Sequence, residues 1–200
     1  MISSLIEKIK EIDLQVYYII HEKWTNTFFD KWMPIITNID NWIWIIVLAW
    51  IALFIFGGYK GRLVCILTLV TILIVDNLSS YILKPFFGRI RPNIMLEMIN
   101  AGDTVQLTGS ALSFPSNHAI NIFALAMLLS WYYKKLMPIW FLGALIVGYS
   151  RVYIGVHYPL DVIGGACAGI LCSLLMIFIA EKFSKKYKNM FSKFFLSIIR

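Results

Sequence analysis

Five apolar runs, each cut off by charged or turn-forming residues, govern what this chain can become. They are Trp42 to Phe56, Leu63 to Leu83, Ala119 to Tyr133, Leu136 to Tyr149 and Val162 to Ala180. A helix that crosses a bilayer needs roughly 17–25 residues, and each run reaches that length once flanking aromatic and small polar residues are counted. The third and fourth runs also read as one buried hairpin, although "YYKKLMP" between them is a good interfacial turn. Only 14% of the residues are charged and 60% are apolar, whereas a soluble domain carries about a quarter charged residues. No linker, low-complexity stretch or internal repeat divides the chain. The expectation is an all-α integral membrane helix bundle forming a single domain over residues 1–200. It has about five transmembrane helices, with amphipathic interfacial helices at the N- and C-termini.

The first 24 residues mix Glu7, Lys8, Lys10, Glu11 and Asp13 with Ile2, Leu5, Ile6 and Ile9, a spacing that suits an amphipathic helix in the interface. They lack the cationic start and plain apolar stretch of a signal peptide. The tail "KFSKKYKNMFSKFFLSIIR" is a second basic amphipathic segment, either a solvated charge run or an anchor on anionic lipid. Five crossings put Lys60, Arg62, Lys134, Lys135 and this tail on one side, which the positive-inside rule makes cytoplasmic. Residues 84–113 and 150–159 then face the periplasm or exterior. Cys65, Cys167 and Cys172 lie within apolar runs and read as packing residues, without disulfide or metal spacing. Gly165 and Gly169 form a small-xxx-small pattern suited to close helix packing inside the monomer.

Ionisable groups at a membrane are costly, so those retained are expected to be solvated, paired or used. Three clusters fall on the outer side. "KPFFGRIRP" places Lys84, Arg89 and Arg91 after the second run, either as an interfacial basic patch or as a phosphate-binding patch. "FPSNHA" places Ser116 as a candidate N-cap ahead of Asn117 and His118, where free backbone N–H groups favour an anion. His118 alone reads more readily as an interfacial residue than as a catalyst. "SRVYIGVHYPLD" carries Arg151, His157 and Asp161. His157 and Asp161 are four apart, so they share a face if the turn is helical. An Asp that accepts one ring N–H raises the basicity of the other nitrogen; the same pair also suits a structural helix cap. Together the clusters supply cations for phosphate oxygens, an in-line nucleophile and an acid for the leaving group. No cluster has metal-ligand spacing.

Lys84-x6-Arg91-Pro92, Pro115-Ser116-Asn117-His118 and Ser150-Arg151-x5-His157-x3-Asp161 resemble, in order and spacing, the three-part signature of the type 2 phosphatidic acid phosphatase superfamily. That superfamily includes membrane lipid phosphatases and the vanadium haloperoxidases. Asn117 stands where the family's second motif usually has glycine. The resemblance implies a metal-independent hydrolase without cofactor. His157 would form a phosphohistidine, Asp161 would orient it, and His118 would protonate the leaving oxygen. Lys84, Arg91, Arg151, Ser116 and the N–H of Asn117 would hold phosphate.

The implied substrate is a lipid phosphate or diphosphate entering from the bilayer, with undecaprenyl diphosphate leading. Phosphatidylglycerophosphate, phosphatidate and the 1-phosphate of lipid A are the alternatives, and a lipid or anion transporter is the non-enzymatic one. No nucleic-acid or obligate protein partner is indicated. The expected location is the bacterial inner membrane, with the site facing outward and the C-terminus cytoplasmic. Two residues stay open: Arg89 as a headgroup contact or plain interfacial cation, and Asp76 as a structural hydrogen-bonding group or a support of the site. The 93–113 loop is a candidate lid or lateral gate.

Overall fold

The computed structural model describes the backbone of residues 2–101 and 111–197 and the side chains of 2–100 and 111–183. Among the described residues the regular elements are all helical. α1 (Ile2–Tyr18) passes through a π-helical turn at Ile19–Lys23 and is followed by α2 (Thr27–Thr37). Then come α3 (Ile43–Phe56), α4 (Gly58–Asn77), α5 (Lys84–Phe87), α6 (Pro92–Ala101), α7 (Asn117–Tyr132), α8 (Met137–Tyr153) and α9 (Pro159–Ser197). A second π-helical turn, Leu78–Leu83, makes α4 and α5 one continuous rod from Gly58 to Phe87.

Each apolar run has become a helix. Three helical stretches are long and apolar enough to cross a membrane: Gly58–Phe87, Lys134–Tyr153 and Pro159–Phe183; α3 is a shorter apolar helix. Leu48, Leu73, Leu142, Leu171 and Phe178 are all more than half exposed. An apolar surface of that extent has no place in water and marks a lipid-facing belt. The chain is membrane-integrated. α7 is the least lipid-facing of the helices, enclosed by α4, α8 and α9, and its Ala119, Ile120, Ala124 and Leu128 are buried. It is the axle of the bundle.

The tightest seam is between α7 and α9. A Cβ at Gly169 would stand 2.3 Å from the Ile120 carbonyl oxygen, and one at Gly165 would stand 2.8 Å from that of Ser116. Ser173 Oγ donates to the Ala124 carbonyl across the same seam at 2.9 Å. The small-xxx-small pair therefore packs helices within the chain, as expected. α9 continues unbroken to Ser197, so the basic tail extends the last helix. The sequence from 181 to 197 has neither Gly nor Pro to end it.

The N-terminal segment is helical as expected, but the residues it buries are Asp13 and Tyr17, the latter in an apolar cluster with Val152 and Tyr158. Ile2, Leu5, Ile6 and Ile9 are exposed, while Asp13 and Tyr17 are buried against the bundle. α2 was not anticipated; Asn26 caps it by accepting the Phe29 N–H at 3.0 Å. The 93–113 segment is not a plain loop: residues up to Ala101 form α6, while 102–110, the middle of the candidate lid, lie outside the described residues.

Candidate active site

The three clusters converge at one end of the bundle, and backbone hydrogen bonds lock them together. Gly88 ends α5 in the left-handed region (φ 59°), which reverses the chain after "KPFF". The following residues run antiparallel to 111–113: Arg91 N donates to Ala111 O at 3.0 Å and Ser113 N to Arg89 O at 2.7 Å. The first cluster is thus stitched to the approach to the second. Ser116 N donates to the Asp161 carbonyl at 3.0 Å, which stitches the second to the third.

Ser116 caps α7 as expected, accepting the Ala119 N–H at 3.4 Å, and is fully buried. Asn117 opens the helix with negative φ, since no non-glycine residue among those described has positive φ. Asparagine therefore replaces the family's glycine without backbone strain. Its side chain turns towards the α4 rod. Oδ1 accepts from Ser79 Oγ at 2.7 Å, and Nδ2 donates to Asp76 Oδ1 and Ser80 Oγ, both at 3.0 Å. Asn121 adds a longer bond to Asp76 at 3.4 Å. Asp76 is accordingly a hydrogen-bonding partner of α7, one helical turn behind the site.

Three cations gather beside the two histidines. Buried Lys84 donates to the Leu112 carbonyl at 3.2 Å, and Arg91 Nε donates to the same oxygen at 3.3 Å. Arg151, in the last turn of α8, is also buried. Its Nη1 donates to Thr37 Oγ1 of α2 at 2.6 Å, while its buried Nε has no protein partner. A buried guanidinium donor left open is costly unless an acceptor arrives. Burial, and then the charges of Arg151, His157, Arg91 and Lys84, push the pKa of His118 in the first turn of α7 down to about 4, so the ring is neutral near pH 7 while no anion is bound.

His157 sits in the α8–α9 connection and is 1% exposed. That turn depends on Gly155 (φ 79°), where a Cβ would stand 2.7 Å from the His21 ring. His157 Nδ1 lies 3.4 Å from Asp161 Oδ2, a contact longer and less aligned than a formed N–H···O bond. Catalytic bonds of this kind often tighten only with substrate. Burial pushes the His157 pKa down to about 4, with Asp161 opposing, so the ring is neutral near pH 7. Asp161 is fully buried; Oδ2 accepts the Tyr158 N–H at 2.8 Å, and Oδ1 accepts from Arg89 at 3.0 Å. Among the described residues no group of three or more His, Cys, Asp or Glu is arranged to hold a metal ion.

Two site neighbours escaped the sequence reading. Asp13 pairs with Arg89, and Thr37 holds Arg151. Asp13 did leave a signal. It lies four residues after Ile9 and four before Tyr17, an acid on the apolar stripe of α1. Thr37 left none.

These features define a membrane-integrated helical protein whose polar residues gather at one end around a histidine–aspartate pair and three cations. Residues 65–185 match the PAP2 superfamily, and the chain belongs to it. It is 34% identical over 138 residues to a lipid A 4'-phosphatase of Porphyromonas gingivalis, covering 66% of this chain and 58% of that one. It is 31% identical over 140 residues to an undecaprenyl-diphosphatase of Sulfolobus acidocaldarius, covering 68% and 63% respectively. The chain thus spans about three fifths of these relatives' length. The crystal structure of Aquifex aeolicus LpxE superposes with a TM-score of 0.59 at 30% identity, covering 83% of this chain and 94% of that one.

Proposed function

We propose that the chain, acting as one domain over residues 1–200, is a lipid phosphatase that works through a phosphohistidine. The observation that carries this is the convergence of His157–Asp161, His118 and three cations, one of which presents an open buried donor. Nδ1 of His157 faces Asp161, which leaves Nε2 to attack phosphorus. Bound phosphate offsets the cations that hold the His118 pKa down, so that His118 takes up a proton with the substrate; as the N–P bond forms, the bond from phosphorus to the lipid-side oxygen breaks, and His118 gives that oxygen this proton. Water then attacks the phosphohistidine, His118 takes the water's proton, and inorganic phosphate leaves with His157 restored. Lys84, Arg91, Arg151, Ser116 and the Asn117 N–H hold the non-bridging oxygens.

The leading substrate is undecaprenyl diphosphate, cleaved to the monophosphate at the outer face of a bacterial inner membrane. Similarity to an undecaprenyl-diphosphatase supports it. The second reading, a phosphate of lipid A, is favoured by the similarity to a lipid A 4'-phosphatase. Lys60, Lys134 and Lys135 line one cavity at the other end of the bundle, which supports a cytoplasmic C-terminus and an outward pocket.

The test is phosphate release by purified protein from both lipids, phosphatidylglycerophosphate and phosphatidate in detergent with chelator. The rates rank the substrates. Orthovanadate should inhibit, and His157→Ala should lose several orders of magnitude in turnover. Near-normal turnover of His157→Ala would remove the nucleophile assignment; abolition by chelator would point to a metal enzyme.

A further inference from the structure

Arg89 has no phosphate-binding role in the mechanism above, yet it is committed to groups beside His157. Its planar fork joins two carboxylates that are distant in sequence. Nη1 donates to Asp161 Oδ1 at 3.0 Å, and Nη2 donates to Asp13 Oδ2 at 2.5 Å. The guanidinium carbon stands 3.9 Å from the centroid of the Tyr158 ring, which packs on its face. The Asp13 side chain is 1% exposed and that of Asp161 is 0% exposed. Asp13 Oδ1 also accepts the Leu160 N–H at 2.8 Å, in the first turn of α9. The acid from α1 therefore grips both the arginine and the helix that carries Asp161.

We infer that Arg89 and Asp13 are positioning residues for the reaction: Asp13 holds the Arg89 fork, and the fork holds the Asp161 carboxylate in the rotation that presents Oδ2 to His157 Nδ1. This rests on the phosphohistidine reading. A carboxylate turns about its last torsion in a broad, roughly two-fold well, so something must fix it. The Tyr158 N–H engages Oδ2 alone. Without Arg89, Oδ1 would be a buried anionic oxygen lacking its donor, and the group would turn to find one. That rotation carries Oδ2 away from the imidazole. The same geometry argues against Arg89 as a substrate ligand. Both terminal nitrogens already serve carboxylates, and the two acids outweigh its single charge and repel an incoming phosphate.

The experiment uses the full-length purified protein in detergent, with farnesyl diphosphate and dioctanoyl phosphatidate as probes. Wild type and His157→Ala are compared with Arg89→Ala, Arg89→Lys, Asp13→Asn and the Arg89→Ala/Asp13→Asn double variant. Thermal unfolding of each sets a temperature at which all are folded. The expected result is a fall in kcat of about 10–100-fold on both probes, by analogy with the loss when the outer hydrogen-bond partners of metal-ligating histidines are removed. KM should stay within about twofold of wild type, as for an interaction made in the transition state. Arg89→Lys should recover part of the loss. The double variant should be no slower than Arg89→Ala, since both changes break one chain of contacts.

Normal kcat in folded variants would overturn the inference and leave a purely structural ion pair. So would a KM increase confined to the diphosphate, which would make Arg89 a ligand of the second phosphate. If Arg89→Ala does not fold, Asp13→Asn carries the same test, because it keeps the acceptor for Leu160. A silent His157→Ala beside normal Arg89 and Asp13 variants defeats this inference alone. An active His157→Ala defeats the phosphohistidine reading and this inference with it.

Discussion

Replacing Asn117 with glycine restores the residue most usual at this point of the family's motif, and it should destabilise this protein substantially. Three side-chain hydrogen bonds disappear. The bond to Asp76 ends on a carboxylate and is worth about 1.5–3 kcal/mol; the two serine bonds contribute about 0.5–1.5 kcal/mol each. Ser79 is fully buried, so its hydroxyl cannot turn to water. Glycine in place of asparagine, itself a weak helix former, adds only about 0.3 kcal/mol more. Asp76 and Ser80 are partly exposed and recover some solvation, which brings the expected loss to about 3 kcal/mol. For a chain of this size that corresponds to a Tm lower by about 6–12 °C. Thermal unfolding in a fixed detergent measures it, and a double-mutant cycle of Asn117→Ala with Asp76→Ala should give a coupling of at least about 1 kcal/mol. A Tm within about 3 °C of wild type, or no coupling, would refute the claim that this polar cluster anchors α7 to the α4 rod.

Gly169→Ala should cost about 1–3 kcal/mol, because its methyl group would meet the Ile120 carbonyl and push α9 away from α7; an unchanged Tm would show a looser seam. Acid should destabilise the fold through His157. Its folded-state pKa of about 4 lies below the ordinary histidine value of about 6.5, so between those values the unfolded chain binds a proton that the folded chain does not. Stability is then level above pH 6.5 and falls as pH drops, by about 2 kcal/mol at pH 5. His157→Gln should flatten that part of the Tm–pH curve, and an equally steep curve would assign the loss to other groups.

The sequence made most of this legible where a single physical rule dominates. Apolar runs became helices because burial in lipid overrides local propensity, and their ends fell within a few residues of the basic and turn-forming stops. The candidate-site residues could be singled out because ionisable groups are rare in so apolar a chain and because their spacing resembles the family's three motifs. Other features were hidden for definite reasons. The segment of α2, "TFFDKWMPIIT", carries a helical repeat in Phe28, Phe29, Trp32, Met33 and Ile36, but its shortness and the proline at 34 masked it. The Arg151–Thr37 bond crosses 114 positions, and a threonine at a helix end suggests nothing about an arginine so far away. The Arg89–Asp13 bond crosses 76, although the acid on an apolar stripe could have raised the question. Asn117 was legible as a departure from the family pattern, but its compensation by Ser79, Ser80 and Asp76 appears only once α4 and α7 are side by side.

The resting arrangement of the three cations favours an anion on the proposed reading. Lys84 and Arg91 both donate to one backbone oxygen, that of Leu112, at 3.2 and 3.3 Å. A neutral carbonyl satisfies two cations poorly, and charge-assisted bonds to an anionic oxygen are roughly twice as strong as neutral ones. Asp161, the nearby acid, shares Arg89 with Asp13 and offsets the cations only in part, one carboxylate against three. Arg151 adds a third charge with a buried N–H left open. Three cations held close together in a poorly solvated pocket repel one another, and on the proposed reading a phosphate relieves that repulsion while filling the open donor. The energy is stored before the substrate arrives. It becomes catalytic to the extent that the charge on the phosphate's outer oxygens during N–P bond formation is matched better than in the bound ground state.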